Sequence, residues 1–208
     1  LSAVPFIIER GASAYKKMGT EKSPGTKLFS VCGPVQKPGV YELEMGTPLR
    51  TLLREHCGGM REGKVLKGVI PGGSSVPVLT AQEVEEVNLD YESLQSKGTM
   101  LGSGGVIVID EGYCMVQALM NLARFYSHES CGQCSPCREG TGWAYKLLKR
   151  MEEGEGKSGD IEVLLDIGRK MMGATICVLA DALSMPIASH IGKFREEFEN
   201  HLGKRCGA

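Results

Sequence analysis

Three cysteines stand at three-residue intervals in the run HESCGQCSPCREGTGW: Cys131, Cys134 and Cys137. Nothing else in the chain restricts its fold so strongly. A C-x2-C-x2-C run places three soft sulfur donors on one short loop, and thiolates suit iron–sulfur clusters and zinc. A segment presenting three thiols to one inorganic core cannot be regular structure throughout. Gly132 lets the backbone approach such a core closely, and Pro136 is expected to keep the segment from closing into an unbroken helix.

A 4Fe–4S cubane takes four thiolates, so a fourth must come from elsewhere. Cys32, Cys57, Cys114, Cys177 and Cys206 remain. Cys177 lies in MGATICVLAD, where Gly173 frees the backbone. Two helical segments separate it from Cys137, one running up and one down, which returns the chain to the end where it began. Cys177 is therefore the expected fourth ligand. The other four are read as free thiols, buried or terminal. Zinc commonly takes two ligand pairs, so a triplet with one distant cysteine favours the cluster. A ferredoxin run would continue with Cys-Pro three residues later, but Arg138, Glu139 and Gly140 follow instead.

Composition narrows the compartment and the partners. Eight cysteines in 208 residues could form a disulfide set, but their clustering points to a reducing, cytoplasmic compartment with a metal or redox site. With 24 basic and 25 acidic residues the net charge is −1, so no nucleic-acid footprint is present. No apolar run approaches the roughly 18 residues of a membrane span. LSAVPFIIERGASAYKKMG lacks a basic leader and a cleavage site, so no signal peptide is expected.

The chain reads as α+β, with three stretches. Residues 1–26 suggest a helix with a stripe of Ile7, Ile8, Ala12 and Tyr15, then a polar linker. Residues 27–111 suggest a small β-grasp domain. There KLFSVCG and VYELEM form a hairpin, and TPLRTLLREHCGG forms a helix capped by Thr47, with Pro48 first and Gly58 and Gly59 at its end. VIPGG and GGVIVID supply further strands. Residues 112–208 lose strand signals and suggest a four-helix bundle. Its first stripe is Met115, Leu119, Leu122 and Phe125, Asp160 is a candidate cap for the third helix, and Pro186 should bend or restart the fourth.

Other features have plainer readings. VIPGGSSVPV lacks a G-K-[ST] ending, and GSGG at 102–105 precedes a strand rather than a helix, so neither is a nucleotide site. His128 is a candidate ligand or proton acceptor, but packing or capping is the commoner role. Arg138 beside Cys137 could offset the charge of a cluster. Met171, Met172 and Met185 read as core filler.

The cysteine run, with SPGTKLFSVCGPVQKPGVYE, VIPGGSS, GSGGVIVID and ICVLADALSMPI, resembles the NADH-binding flavoprotein subunit of respiratory complex I. Related subunits occur in NAD-linked hydrogenases and formate dehydrogenases. The resemblance covers nearly the whole chain. It implies a soluble-ligand-binding β-grasp (SLBB) domain, then a four-helix bundle carrying one 4Fe–4S cluster on Cys131, Cys134, Cys137 and Cys177. In that family FMN and NADH are held by a large preceding domain that these residues do not match. The expectation is a piece of a longer protein, or a chain paired with a separate flavin chain. Its cluster would take single electrons from FMN reduced by NADH and pass them to further iron–sulfur subunits. The rival is a partner-docking module in which a cluster or zinc is only structural.

Overall fold

The computed structural model describes residues 1–204; Cys206, read above as a free thiol, lies outside the described residues. The chain divides into two compact units, residues 1–73 with 79–110, and residues 74–78 with the chain from Glu111 onward.

The first unit opens with α1 (Ala3–Arg10) and α2 (Ala12–Tyr15). The expected stripe does not bury itself: no residue of α1 is buried, and Ile8 is largely exposed. A hairpin follows, β1 (Thr26–Cys32) with β2 (Gly39–Glu44), antiparallel with Phe29 opposite Tyr41. Phe29 and Val31 point inward while Leu28 is exposed, the period of two expected for a sheet with one buried face.

The next helix departs from expectation. Thr47 does not cap it; its hydroxyl donates to the Glu44 carbonyl at 2.7 Å. Pro48 takes the cap position with extended ψ, α3 (Leu49–Thr51) makes one turn, and Leu52–His56 continues as a π turn. Cys57 N–H reaches back to the Leu52 carbonyl at 2.9 Å, five residues away. Leu49 and Leu52 are thereby both fully buried.

Strands β3 (Leu66–Ile70), β4 (Leu79–Thr80) and β5 (Gly105–Asp110) complete the sheet in the order β2-β1-β5-β3-β4. β1 and β5 are parallel at its centre and the other pairs antiparallel, a mixed sheet of the β-grasp kind. Two short helices were not anticipated, α4 (Ala81–Glu86) and α5 (Tyr91–Ser96). Thr80 and Glu83 form a reciprocal capping box on α4, and Asp90 caps α5 through Ser93 N–H at 2.6 Å. The glycine-rich runs are structural: Gly73 N–H bonds to Gly105, and Ser103 N–H to Gly72.

The second unit is helical: α6 (Met115–Glu129), α7 (Ser135–Glu152), α8 (Asp160–Met171) and α9 (Leu179–Asn200). Residues 74–78 join it, with Ser74 Oγ 2.9 Å from the Tyr126 hydroxyl and Val78 N–H on Ser189 Oγ. The buried stripe of α6 is Met115, Leu119, Ala123 and Tyr126. Leu122 is only half-buried and Phe125 is half exposed, because spacings of three drift off a 3.6-residue face. Asp160 is the first residue of α8 rather than its cap, which is Gly159. α9 runs unbroken through Pro186, whose fixed φ is helical, and its distortion falls instead at Phe194. Of the three methionines read as core filler, Met171 is buried, Met185 is half-buried and Met172 is exposed. Among the described residues no helix is long and apolar enough to cross a membrane.

Candidate metal centre

The cysteine triplet sits between α6 and α7. α6 ends at Ser130, in extended backbone, and Gly132 turns the chain with φ +79°, a region that L side chains rarely adopt. Cys134 is the N-cap of α7, and Pro136 lies in the first turn, where its missing N–H costs nothing. This corrects the role expected for Pro136: it starts α7 and does not keep helix away from the thiols. Cys137 is consequently a helical residue and buried, while Cys134 is half-buried and Cys131 exposed.

Polar contacts hold the loop. Ser130 Oγ lies 3.2 Å from Cys137 Sγ and accepts from Gly132 N–H at 3.3 Å. Arg138 spans the turn, donating to the Gly132 carbonyl at 2.7 Å and to Ser135 Oγ at 3.4 Å, and pairing with Glu139 at 2.9 Å. Thr141, fully buried, donates to the Cys137 carbonyl at 2.8 Å. Arg138 is thus tied to the backbone carrying the thiols.

The loop after α8 meets this one. Ile176 N–H donates to Cys134 Sγ at 3.4 Å, so the residue next to Cys177 touches the triplet. Thr175 Oγ1 bonds to the Cys177 carbonyl at 2.7 Å, and Gly173 N–H bonds to Asp181 at 2.6 Å. α7 and α8 approach closely enough for this because Gly140 has no side chain. A Cβ there would lie 2.6 Å from Met171 Sδ. The residues fit an iron–sulfur cluster: three cysteines run from the loop after α6 into the first turn of α7, Cys177 is on the loop packed beside them, and a backbone N–H is aimed at a sulfur, as in the outer shell of such sites.

The remaining candidates lie elsewhere. His128 is exposed in the last turn of α6, where a basic residue suits the helix dipole. Cys57 is buried, and burial pushes its thiol pKa up. Cys32 is exposed at the end of β1, neither buried nor terminal as expected. Cys114 is buried at the N-cap of α6, at the opposite end of that helix from the triplet. The Arg138 contacts and the Gly140–Met171 approach were not legible from spacing.

Comparison with known proteins agrees with both units. Residues 27–109 match the SLBB domain, and residues 117–201 match the NADH-ubiquinone oxidoreductase-F iron-sulfur binding region. Fold and site together define an SLBB domain joined to an iron–sulfur binding helical region. An F subunit of the NADH-quinone oxidoreductase of Rhizobium meliloti is 46% identical over 205 residues, 99% of this chain and 48% of that protein. The corresponding F subunit of Mycobacterium bovis is 45% identical over 97% of this chain and 45% of its own length. An air-oxidized NAD+-reducing [NiFe]-hydrogenase crystal structure superposes with a TM-score of 0.84 at 31% identity, covering 96% of this chain and 34% of that one. Over nearly its whole length the chain is similar to F subunits of NADH-quinone oxidoreductases, and it spans about half the length of the curated relatives it matches.

Proposed function

We propose that this chain is the electron-relay portion of an NADH dehydrogenase-type oxidoreductase, holding a 4Fe–4S cluster on Cys131, Cys134, Cys137 and Cys177. The observation that carries the reading is the Ile176 N–H on Cys134 Sγ at 3.4 Å, which sets the loop of Cys177 against the triplet. When bound, such a cluster supplies one-electron chemistry between a flavin reduced by NADH and further iron–sulfur centres. The chain's own residues hold the sulfurs, direct the Ile176 N–H at one of them and shield one side. Cys137 and Thr141 close that side, while Cys131 and Cys177 stay exposed. A relay requires one approachable edge.

Ile176 at 87% and Val178 at 74% exposure bracket Cys177 with apolar surface. That rim suits docking of a partner such as the FMN- and NADH-binding domain or another iron–sulfur subunit. FMN and NADH belong to that partner or domain, because hydride transfer needs a two-electron acceptor. The compartment is cytoplasmic, with the membrane reached only through partner subunits.

The test is iron content and EPR of anaerobically purified protein. Cys131→Ser, Cys134→Ser, Cys137→Ser and Cys177→Ser each lose iron sharply, whereas Cys32→Ser and Cys57→Ser keep it. Dithionite bleaches the wild-type protein, and NADH does so only after the flavin-binding part is added. Full iron in Cys177→Ser would overturn the ligand assignment. A colourless protein with zinc on these thiols would support the purely structural rival.

A further inference from the structure

At the far end of the helical unit three chemically unlike side chains converge. Cys114, Glu152 and His201 are brought together from the N-cap of α6, the last residue of α7 and the C-cap of α9. Cys114 Sγ lies 3.2 Å from Glu152 Oε1 and 3.3 Å from His201 Nε2, and His201 Nε2 lies 3.5 Å from Glu152 Oε1. All three are withdrawn from solvent: Cys114 is 4% exposed, His201 is 7%, and the Glu152 side chain is 11%.

The other ring nitrogen of His201 fixes the chemistry at this point. Nδ1 sits 2.6 Å from the Glu197 carbonyl, which can only accept, so Nδ1 carries the hydrogen. With the hydrogen on Nδ1, Nε2 is the ring nitrogen turned to the centre of the trio and the one placed to bind a metal. Metal-bound histidines are oriented in this way, with the distal N–H held by a carbonyl or carboxylate. In a Cys-His-acid nucleophilic triad the acid would hold Nδ1, leaving Nε2 for the thiol. Here the carboxylate and the thiol both face Nε2, so the arrangement is convergent rather than linear.

We infer that Cys114, Glu152 and His201 form a zinc site, separate from the iron–sulfur ligands. The donor set of one thiolate, one imidazole and one carboxylate is borderline-soft, which suits zinc and excludes magnesium and calcium. The three donor atoms lie within 4.8 Å of one another. Bonds of about 2.3 Å to sulfur and about 2.0 Å to nitrogen and oxygen give tetrahedral edges of roughly 3.3–3.6 Å. Edge by edge, sulfur–oxygen at 3.2 Å and sulfur–nitrogen at 3.3 Å are about 0.2–0.3 Å shorter than a zinc tetrahedron sets, and nitrogen–oxygen at 3.5 Å is about 0.2 Å longer, so small side-chain shifts bring the three donors onto one ion. Gln117 N–H donates to Cys114 Sγ at 3.4 Å and helps hold the sulfur in place. The fourth tetrahedral place is left to a water or one further donor.

The site has a clear structural consequence. α6 has 15 residues, so about 22 Å separate its two ends. The iron–sulfur loops tie the helices at one end, and zinc ties α6, α7 and α9 at the other. This inference does not rest on the electron-relay reading, since a zinc clip would hold the bundle whatever the cluster does.

Metal analysis of cluster-loaded protein, purified anaerobically from zinc-supplemented cells, tests it. The expected result is about one zinc per chain beside the iron. Zinc-edge X-ray absorption of the wild type should show one sulfur with nitrogen and oxygen ligands. Cys114→Ser and His201→Gln should lose the zinc and keep the iron, and Glu152→Gln should weaken zinc retention against a chelator at least tenfold. The wild-type absorption spectrum needs no variant, so a misfolding substitution does not block the test. No zinc in the wild type, an all-sulfur zinc shell, or zinc retained in both Cys114→Ser and His201→Gln would overturn the site.

Discussion

Gly140→Ala probes the helix approach that brings the two cysteine loops together. The added Cβ would lie 2.6 Å from Met171 Sδ, 2.7 Å from Met171 Cγ and 3.6 Å from Ile167 Cγ2. The first two contacts are too short to persist, so Met171, only 1% exposed, must move within a packed core. Overpacking of this kind costs about 1–3 kcal/mol. Against it, replacing glycine inside a helix gains about 1 kcal/mol in propensity. The net expectation is a destabilisation of roughly 1 kcal/mol, with α7 and α8 forced apart and less iron retained. The decisive measurement is the same substitution in a Met171→Ala background. Met171→Ala alone should cost about 2–5 kcal/mol through the cavity it leaves. With the sulfur gone, Gly140→Ala should become stabilising by up to about 1 kcal/mol, so its sign reverses between backgrounds. Urea unfolding followed by fluorescence reports the helical unit selectively, because the single tryptophan of the chain, Trp143, lies in α7. An equal cost of Gly140→Ala in both backgrounds would show that Met171 is not what the glycine accommodates.

Two further perturbations test the electrostatics of the same unit. His190 is fully buried in α9, and burial pushes its pKa down to about 4, with the Pro186 carbonyl opposing only in part. The unfolded chain protonates it near 6.5, so this contribution to stability is complete above that pH. It is lost as pH falls towards 4, and amounts to about 3 kcal/mol. His190→Gln should flatten the difference in urea midpoint across that window, and an unchanged pH slope would refute a buried neutral ring. Burial alone would raise the Asp160 carboxyl, but the Arg150 guanidinium and the Lys157 N–H at 2.8 Å overcome it and hold the pKa below the usual range. Asp160→Asn should therefore destabilise the bundle by about 1–3 kcal/mol in denaturant, since it strands a partly buried Arg150.

How much of the fold the sequence revealed follows the range of the signal. β1 and β2 were legible because Phe29 and Val31 alternate with exposed neighbours and a glycine-bounded turn joins the strands. The four long helices were legible from apolar spacing, yet their details slipped by one or a few residues. Thr47 and Asp160 looked like caps, but Pro48 and Gly159 hold those places. α4 went unseen although T-A-Q-E at Thr80–Glu83 is a readable capping box. It is too short to show a period, and only the reciprocal side-chain bonds announce it. The Phe194 distortion in α9 has no signature in its neighbours, whereas Pro186 has a strong one and does nothing visible.

The two proposed ligand sets mark the same limit more sharply. Cys131, Cys134 and Cys137 are close in sequence, so spacing alone proposes them, and proposing Cys177 needed only the inference that two helices return the chain. Cys114, Glu152 and His201 come from three helix ends widely separated along the chain. Each has an ordinary local reading: a buried thiol, a surface acid near a polar loop, and a basic residue closing a helix. What joins them is the length of the helices. α6 leads away from Cys114, α7 returns to Glu152, and α9, starting beside the cysteine loops, ends at His201. A turn-to-turn difference of two residues in any of these helices would rotate a donor by roughly 200° and break the trio. The convergence is therefore a property of helix length and phase together, which periodicity over a short window does not encode.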